Sequence, residues 1–161
     1  MTRIALTPVA DHDIAPLHAM LLELGASDGV ADIRTTEASL RAALSGPSPL
    51  VIAHFIQRDG HVAGFTLHSW KWGTFTGVSD LYLNALYVRP AHRRAGVARR
   101  AMAALARVAL EHGCSRIEWL TVAAKADTAT FYDAIGSTPA SHMAVRRLHG
   151  QALAALAADT P

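Results

Sequence analysis

The feature that most constrains this sequence is the segment 83–98, where an apolar run leads through a proline into basic residues. We predict a buried strand over 81–88, a turn at Pro90, and a helix that begins within the pattern Arg-x-x-Gly-x-Ala at 93–98. The first turn of such a helix presents unpaired backbone N–H groups and a positive dipole end, which together favour a bound phosphate. The segment therefore predicts a phosphorylated ligand.

Composition limits the remaining possibilities. A chain of 161 residues, 51% of them hydrophobic, fits a single globular domain with one core. The formal net charge is only +2, and much of the basicity lies between residues 89 and 107. A local basic patch without interleaved aromatic residues suits a small anionic ligand better than nucleic acid.

Cysteine, histidine and hydropathy patterns exclude further classes. Cys114 is the only cysteine, so an internal disulfide or a cysteine-based metal site is not possible. The nine histidines show no metal-ligand spacing, and we predict that no metal is bound. Since neither a targeting segment nor a membrane-spanning run is apparent, we expect a cytoplasmic protein that does not bind membranes.

Apolar periodicity and turn residues predict the order of elements. In chain order these are a strand at 3–9, a helix capped by Asp11 and ending before a break at 25–32, a helix capped by Thr36 and running to 44, strands at 50–57 and 62–69 joined by Asp59-Gly60, a loop at 71–77, a strand at 81–88, a helix from 97 closed by Gly113, a strand at 116–122, a helix at 127–135, a strand at 143–148 and a helix at 151–158. This order predicts an α/β fold with a mixed sheet.

The order of elements, the pattern Arg93-x-x-Gly96-x-Ala98, and Phe131-Tyr132 ahead of Gly136 carry a resemblance. The chain resembles the GNAT family of acetyl-CoA-dependent N-acetyltransferases over nearly its whole length. Within the family it is most similar to the diamine and polyamine acetyltransferases. The resemblance implies a mixed, mostly antiparallel central sheet flanked by helices, a single domain over 1–161, and a homodimer.

The resemblance also implies how acetyl-CoA binds. The backbone of Leu86, Tyr87 and Val88 would pair with the pantetheine arm as an added strand would. The turn and helix start would hold the pyrophosphate, with Gly96 leaving room for it. The residues implied in that role are Arg93, Arg94, Ala95, Gly96, Val97, Ala98 and Arg99, and Lys125 and Thr128 are further candidates for contact with the cofactor. The alternative is a solvated basic helix start.

Tyr132 occupies the position of the family's general acid, which would protonate the thiolate that leaves when an amine attacks the thioester. The alternative is that Phe131 and Tyr132 only pack a helix against the sheet.

The sequence departs from the polyamine branch where the acceptor would bind. Asn84-Ala85 stands in place of an acidic pair, and Ala123-Ala124-Lys125 in place of an Asp-Trp-Asn run. A polycation needs several carboxylates to offset its desolvation, so a less charged amine, a zwitterion or a partly aromatic substrate fits better. We expect Asn84 and Trp72 to contact the acceptor. Trp70, Trp72 and Phe75 could line this pocket, or could equally cover the core or a dimer surface.

The general base stays unassigned. His68 and Asp80 are candidates, weighed against purely structural roles. The main hypothesis is direct acetyl transfer from acetyl-CoA to a small primary amine. The alternatives are an acyl-CoA-binding sensor or interaction protein that has lost turnover, and a nucleic-acid-binding protein that uses the patch at 93–107.

Overall fold

The computed structural model describes residues 2–122 and 125–159. The strands are β1 (Ile4–Pro8), β2 (Ile52–Arg58), β3 (His61–Trp72), β4 (Ser79–Val88) and β5 (Ile117–Trp119). The helices are α1 (Ile14–Asp28), α2 (Glu37–Leu44), α3 (Val97–Glu111), α4 (Ala126–Ala134) and α5 (Gly150–Ala158). The chain forms two compact units, Met1–Ala124 and Lys125–Pro161.

The first unit contains the sheet. Its strands follow the order β1-β2-β3-β4-β5, with antiparallel pairing except between β4 and β5, which are parallel. The predicted mixed sheet is therefore confirmed. The predicted turn at Asp59-Gly60 joins β2 to β3, and both residues have positive φ, 51° and 87°. Two such residues in succession are what the tight hairpin turn favoured by twisted strands requires.

Helices cover both faces of the sheet. On one face α1 and α2 pack through Leu17, Met20 and Leu40. On the other face α3 packs through Val97 and Ala101. Strand β4 contributes to both clusters, with Tyr87 on the α1 side and Val88 on the α3 side. The end of β4 is thus held from both directions.

Of the two predicted helix N-caps, the structure confirms one. Thr36 caps α2 as predicted, because its side chain accepts a hydrogen bond from the Ser39 N–H at 3.1 Å. The prediction that Asp11 caps α1 is wrong. Asp13 accepts from the Ala10 N–H at 3.0 Å instead, and Asp11 pairs with Arg41 of α2.

The break predicted at 25–32 starts too early. Helix α1 continues to Asp28, and Gly25 lies inside it as a buried residue. A Cβ at Gly25 would lie 2.1 Å from the Cδ1 atom of Ile33, so the glycine allows the following segment to pack against the helix. The turn falls at Gly29, which has a φ of 72°.

Three predicted strand or loop assignments are also wrong. Strand β3 continues through Trp72, into the predicted loop at 71–77. The strand predicted at 116–122 pairs only over Ile117–Trp119. Residues 143–148 form no strand, and Met143 and Val145 are each 64% exposed. A run of alternating residues needs a neighbouring strand, and none lies beside 143–148 in the described part of the second unit.

A row of aromatic rings centred on the buried His68 lies on the α3 side of β2 and β3. The rings of His54 and His68 stack with centroids 5.5 Å apart, and Trp70 meets His68 edge-on. Both histidine Nδ1 atoms are buried and have no hydrogen-bond partner among the described residues. Burial above all, with smaller contributions from His54 and His112, lowers the pKa of His68 from 6.5 to about 4. His68 is therefore neutral in the folded protein at neutral pH.

We expect this histidine to make the fold sensitive to acid. Because the pKa of His68 is about 4 in the folded protein and 6.5 in the unfolded chain, the unfolded chain binds more protons between these values. The free energy of unfolding should fall by about 3 kcal/mol as the pH drops from 6.5 to 4. Urea unfolding at a series of pH values measures this loss.

The substitution His68→Leu should reduce the loss between pH 6.5 and 4, while His142→Gln, at an exposed position, should leave it unchanged. An undiminished loss in His68→Leu would contradict the assignment.

Candidate functional site

Strands β4 and β5 run side by side for a short distance and then separate. The paired residues are Leu81 with Ile117, Tyr82 with Glu118, and Leu83 with Trp119. Strand β5 ends at Trp119, whereas β4 continues to Val88. Within the described first unit, the backbone of β4 beyond Leu83 therefore has no strand beside it on this side.

A bulge in β4 marks the point of separation. Leu67 of β3 pairs with Ala85, but the next residue, His68, pairs with Leu83, so Asn84 is an extra residue. A bulge bends its strand and increases the local twist. The bulge at Asn84 thus directs β4 away from β5.

The unpaired edge of β4 belongs to alternate residues. A Cβ at Gly64 would lie 1.9 Å from the carbonyl oxygen of Tyr87, so this carbonyl points towards β3. Since successive residues of a strand direct their backbone groups to opposite sides, those of Leu86 and Val88 point away from β3. The side chain of Arg93 donates from Nε to the Val88 carbonyl at 2.8 Å. Of the three residues predicted to pair with the pantetheine arm, Leu86 and Val88 therefore direct their backbone groups to the open side of β4, and Tyr87 does not.

The turn between β4 and α3 adopts the left-handed backbone region twice. Arg94 has a φ of 60° and Gly96 a φ of 73°. This conformation disfavours a residue with a Cβ by about 1–2 kcal/mol, and strain of this kind is typical of functional sites. Nothing lies within 4 Å of the position that a Cβ of Gly96 would occupy. Turns with residues in this region form concave anion sites from successive N–H groups.

Apolar contacts hold this turn in place. Val97, the first residue of α3, is 1% exposed and packs with Ile56 and Ala63. Ala95 and Ala98 are partly buried against the same cluster. The small apolar residues of the predicted phosphate-binding segment 93–99 therefore anchor it to the sheet at the start of α3.

An ionic contact joins α1 to the same end of β4. The Glu23 carboxylate accepts from the Tyr87 hydroxyl at 3.0 Å and from two nitrogens of Arg89, at 3.0 and 3.2 Å. The hydrogen bonds from Arg89 lower the pKa of Glu23, although burial opposes them. Burial, followed by the Glu23 contact, raises the pKa of Tyr87. Glu23 therefore carries a negative charge that offsets Arg89.

The predicted acceptor residues lie on β3 and β4. The Asn84 side chain is exposed, and its Oδ1 atom accepts from the Ser69 hydroxyl at 3.1 Å. Trp72, near the end of β3, is 64% exposed, and Phe75 in the following turn is fully exposed. The neutral Asn84 amide is therefore accessible, but it has no basic group to accept a proton.

Neither side chain considered as a base is accessible. Asp80 is fully buried and accepts from the Ser115 hydroxyl at 2.7 Å and from Arg116 Nε at 2.9 Å. His68 is 1% exposed, within the row of rings. Cys114 is buried, and burial raises the pKa of its thiol. The geometry favours structural roles for Asp80 and His68, and Cys114 is likewise part of the packed interior.

The sequence did not predict a cluster of charged side chains that lies near the bulge. Lys71 of β3 donates to the Glu118 carboxylate of β5, and Glu118 also contacts Arg116 at 3.0 Å. The Lys71 and Glu118 side chains are 47% and 27% exposed. Lys71 and Glu118 are 47 residues apart in the sequence, and only the alignment of β3, β4 and β5 brings them together.

The second unit contains the predicted acid. Tyr132 lies in the last turns of α4, half-buried, with its ring 5.1 Å from that of Phe131. Lys125 precedes α4, and its carbonyl accepts from the Thr128 N–H at 3.1 Å. Ala123 and Ala124, the first two residues of the altered run, lie outside the described residues.

The described residues also bear on metal binding and on membrane insertion. In 2–122 and 125–159, no group of three or more His, Cys, Asp or Glu side chains is arranged to hold a metal ion. No helix in the same ranges combines the length and apolar character needed to cross a membrane.

Known proteins similar to this chain have acetyltransferase names. The chain is 25% identical, over 98% of its length and 99% of the relative, to the thialysine N-ε-acetyltransferase of Bos taurus. It is 29% identical to the L-ornithine N5-acetyltransferase of Arabidopsis thaliana over 61% of this chain. In that second case the chain spans less than half of the relative, 43% of its length.

Solved structures share the fold. An integron cassette protein of V. cholerae matches 97% of this chain and 98% of its own with a TM-score of 0.80 at 21% identity. An aminoglycoside N-acetyltransferase in complex with CoA matches 91% of this chain and 95% of its own with a TM-score of 0.71 at 16% identity. The fold expected from the resemblance is confirmed.

The family model described as Acetyltransferase (GNAT) family matches residues 18–136. This match spans well over half of the chain and confirms both the expected family and the expected class of enzyme. A strand that parts from its neighbour and leads into a strained basic turn is therefore found in a chain that belongs to the GNAT acetyltransferase family.

Proposed function

We propose that this protein transfers an acetyl group from acetyl-CoA directly to a primary amine of a small molecule. The observation that carries the proposal is the unpaired edge of β4 at Leu86 and Val88, which leads into a turn with two left-handed residues. An extended amide chain and a diphosphate are the ligands that these two features fit. Both occur in CoA, and a structural neighbour was solved in complex with CoA.

Acetyl-CoA is the co-substrate in this proposal. Leu86 and Val88 bind the pantetheine amides, and Arg93 releases the Val88 carbonyl when they do so. The N–H groups of the turn at 93–99 hold the pyrophosphate. Lys125 and Thr128 contact the cofactor in the family arrangement, and this part rests on the resemblance.

The transfer itself needs an oriented amine and an acid. A backbone N–H of the bulged strand near Leu86 polarises the thioester carbonyl, and the amine attacks it in line. Tyr132 protonates the leaving thiolate. The proton of the attacking amine passes to water, since Asn84 is not basic and both Asp80 and His68 are buried. The role of Tyr132 also rests on the resemblance.

The acceptor is a small amine other than a typical polyamine. The two curated relatives described above are named for thialysine and ornithine, which are single amino acids. In this chain Asn84 is neutral, and the nearby Asp80 carboxylate is occupied by Ser115 and Arg116. A polycation would find too few free carboxylates to offset its desolvation.

On the resemblance we also propose the domain organisation, the oligomeric state and the location of the protein. Residues 1–161 act as one acetyltransferase domain, in a cytoplasmic homodimer. Its partners are small molecules and do not include nucleic acid or a membrane surface.

Acetyl-CoA should stabilise the protein against heat. At a concentration about 100 times the Kd, a ligand specific to the folded state adds about 2.7 kcal/mol, which raises the Tm by about 5–10 °C for a chain of this size. The substitution Gly96→Ala should reduce this shift, because it places a Cβ in a strained turn where the phosphate binds. Differential scanning fluorimetry measures both. If acetyl-CoA leaves the wild-type Tm unchanged, the donor assignment is wrong.

Tyr132→Phe should lower kcat by about 100-fold with little change in the KM for acetyl-CoA, because it removes the acid and keeps the ring. Thiol release with a panel of amines measures this loss. Phe131→Leu is the control for ring packing, and an equal loss in that variant would assign the effect to packing. A wild-type protein that binds acetyl-CoA and releases no thiol with any amine would instead support the acyl-CoA-binding alternative.

Asn84→Glu should shift acceptor preference towards diamines. A carboxylate at the exposed bulge attracts a second ammonium group, and we expect about a tenfold gain in kcat/KM for putrescine relative to ornithine. Asn84→Gln is the matched uncharged control. An identical preference in the Glu and Gln variants would mean that the acceptor is recognised away from Asn84.

A further inference from the structure

A row of polar side chains extends from the bulge across three strands. Ser69, which contacts Asn84, pairs with Tyr82 of β4, and Tyr82 pairs with Glu118 of β5. Directly paired residues of neighbouring strands lie on the same face of a sheet. Lys71 completes the row, since it lies two residues beyond Ser69 and contacts Glu118. Asn84 and the Lys71–Glu118 pair therefore share one face.

The charges of this row are balanced. Lys71 and Arg116 are the cations, and Asp80 and Glu118 are the anions. Asp80 is fully buried and already accepts two hydrogen bonds, whereas Lys71 and Glu118 are both partly exposed. The accessible charges at this place are thus one anion, Glu118, and the two cations that contact it, Lys71 and Arg116, each 47% exposed.

Such a pair distinguishes a zwitterion from a diamine. A zwitterionic head offers a carboxylate to Lys71 and an ammonium to Glu118, so each side chain exchanges one partner for another. A diamine offers only ammonium groups, and its binding to Glu118 leaves Lys71 without a counter-charge. A polar group left without its partner is unfavourable.

The spacing along the strand fits the same ligand. Tyr82, beside Glu118, lies two residues before Asn84, which is about 7 Å along a strand. The unpaired edge of β4, where the thioester is proposed to bind, begins beyond Asn84. A molecule with its head at the ion pair would extend a side chain of the length of ornithine towards that edge.

We propose that Lys71 and Glu118 bind the α-amino and α-carboxylate groups of an amino-acid acceptor whose side-chain amine is acetylated. The proposal rests on the proposed function and names the residues that select its acceptor. Lys71 recognises the carboxylate, Glu118 recognises the ammonium, and Asn84 lies along the path of the side chain.

The test compares L-ornithine with putrescine, which lacks the α-carboxylate. With the full chain and acetyl-CoA, we expect kcat/KM to be at least about tenfold higher for ornithine. Lys71→Met should raise the KM for ornithine and so remove this preference. The value of kcat/KM for putrescine should change much less. Arg41→Met, which breaks the exposed Arg41–Asp11 pair on α2, is the matched control and should keep the preference.

A charge-swapped variant separates recognition from structure. Lys71→Glu combined with Glu118→Lys retains an ion pair between β3 and β5 but replaces the Arg116–Glu118 contact by two like charges, so we expect a Tm a few degrees lower and no preference for ornithine. If the swapped variant recovers both the stability and the preference, the pair only ties the strands together and the proposal is overturned.

Calorimetric binding of the two acceptors tests the proposal apart from turnover. Tighter binding of ornithine than of putrescine, lost in Lys71→Met, supports the proposed Lys71–Glu118 site. If no amine is acetylated in addition, that result contradicts the proposed function and leaves the site supported. If the wild type and Lys71→Met both bind the two acceptors equally, the proposed Lys71–Glu118 site is overturned. Acetylation of putrescine would still support the proposed function in that case.

Discussion

The short parallel contact between β4 and β5 is the constraint on which the site depends. The buried Asp80 carboxylate at the start of β4 accepts from Ser115 and Arg116, which immediately precede β5, and so fixes where the two strands meet. The bulge at Asn84 then separates them. If the strands stayed paired to Val88, their backbone groups would satisfy each other and no edge would be left for a ligand. Because the contacts of Asp80 fix the strands at one end of the pair, the position at which they separate at the other end is also fixed.

The turn after β4 shows how a strained backbone is kept in place. Arg94 and Gly96 adopt left-handed conformations that the turn alone would not favour. Val97 packs on one side of the sheet, and Tyr87 and Arg89 bind Glu23 on the other. These contacts lie on either side of the turn in sequence, so its conformation is determined from both ends. The conformation of the turn that we propose to hold the pyrophosphate is thereby set by contacts within the protein.

Local signals in the sequence predicted local features well. The turn at Asp59-Gly60, the Thr36 cap and the start of α3 at Val97 each depend on a few neighbouring residues. The errors came where distant residues decide: β5 is short because β4 leaves it, and residues 143–148 lack a neighbouring strand in their unit. The Lys71–Glu118 contact was equally invisible, since it joins residues of two strands across a third. The roles proposed for Asn84 and Tyr132 rest on the family pattern rather than on periodicity.

The hydrogen bond from Arg93 to the Val88 carbonyl has a consequence for the free protein. An exposed strand edge that accepts an amide ligand also accepts a strand from another molecule, and edges of this kind favour aggregation. Arg93 covers one acceptor of that edge with a charged side chain, and a neighbouring strand would have to displace it. The basic turn that follows adds repulsion between identical copies. The residues that we propose to hold the ligand at this edge therefore also disfavour strand-to-strand association through it.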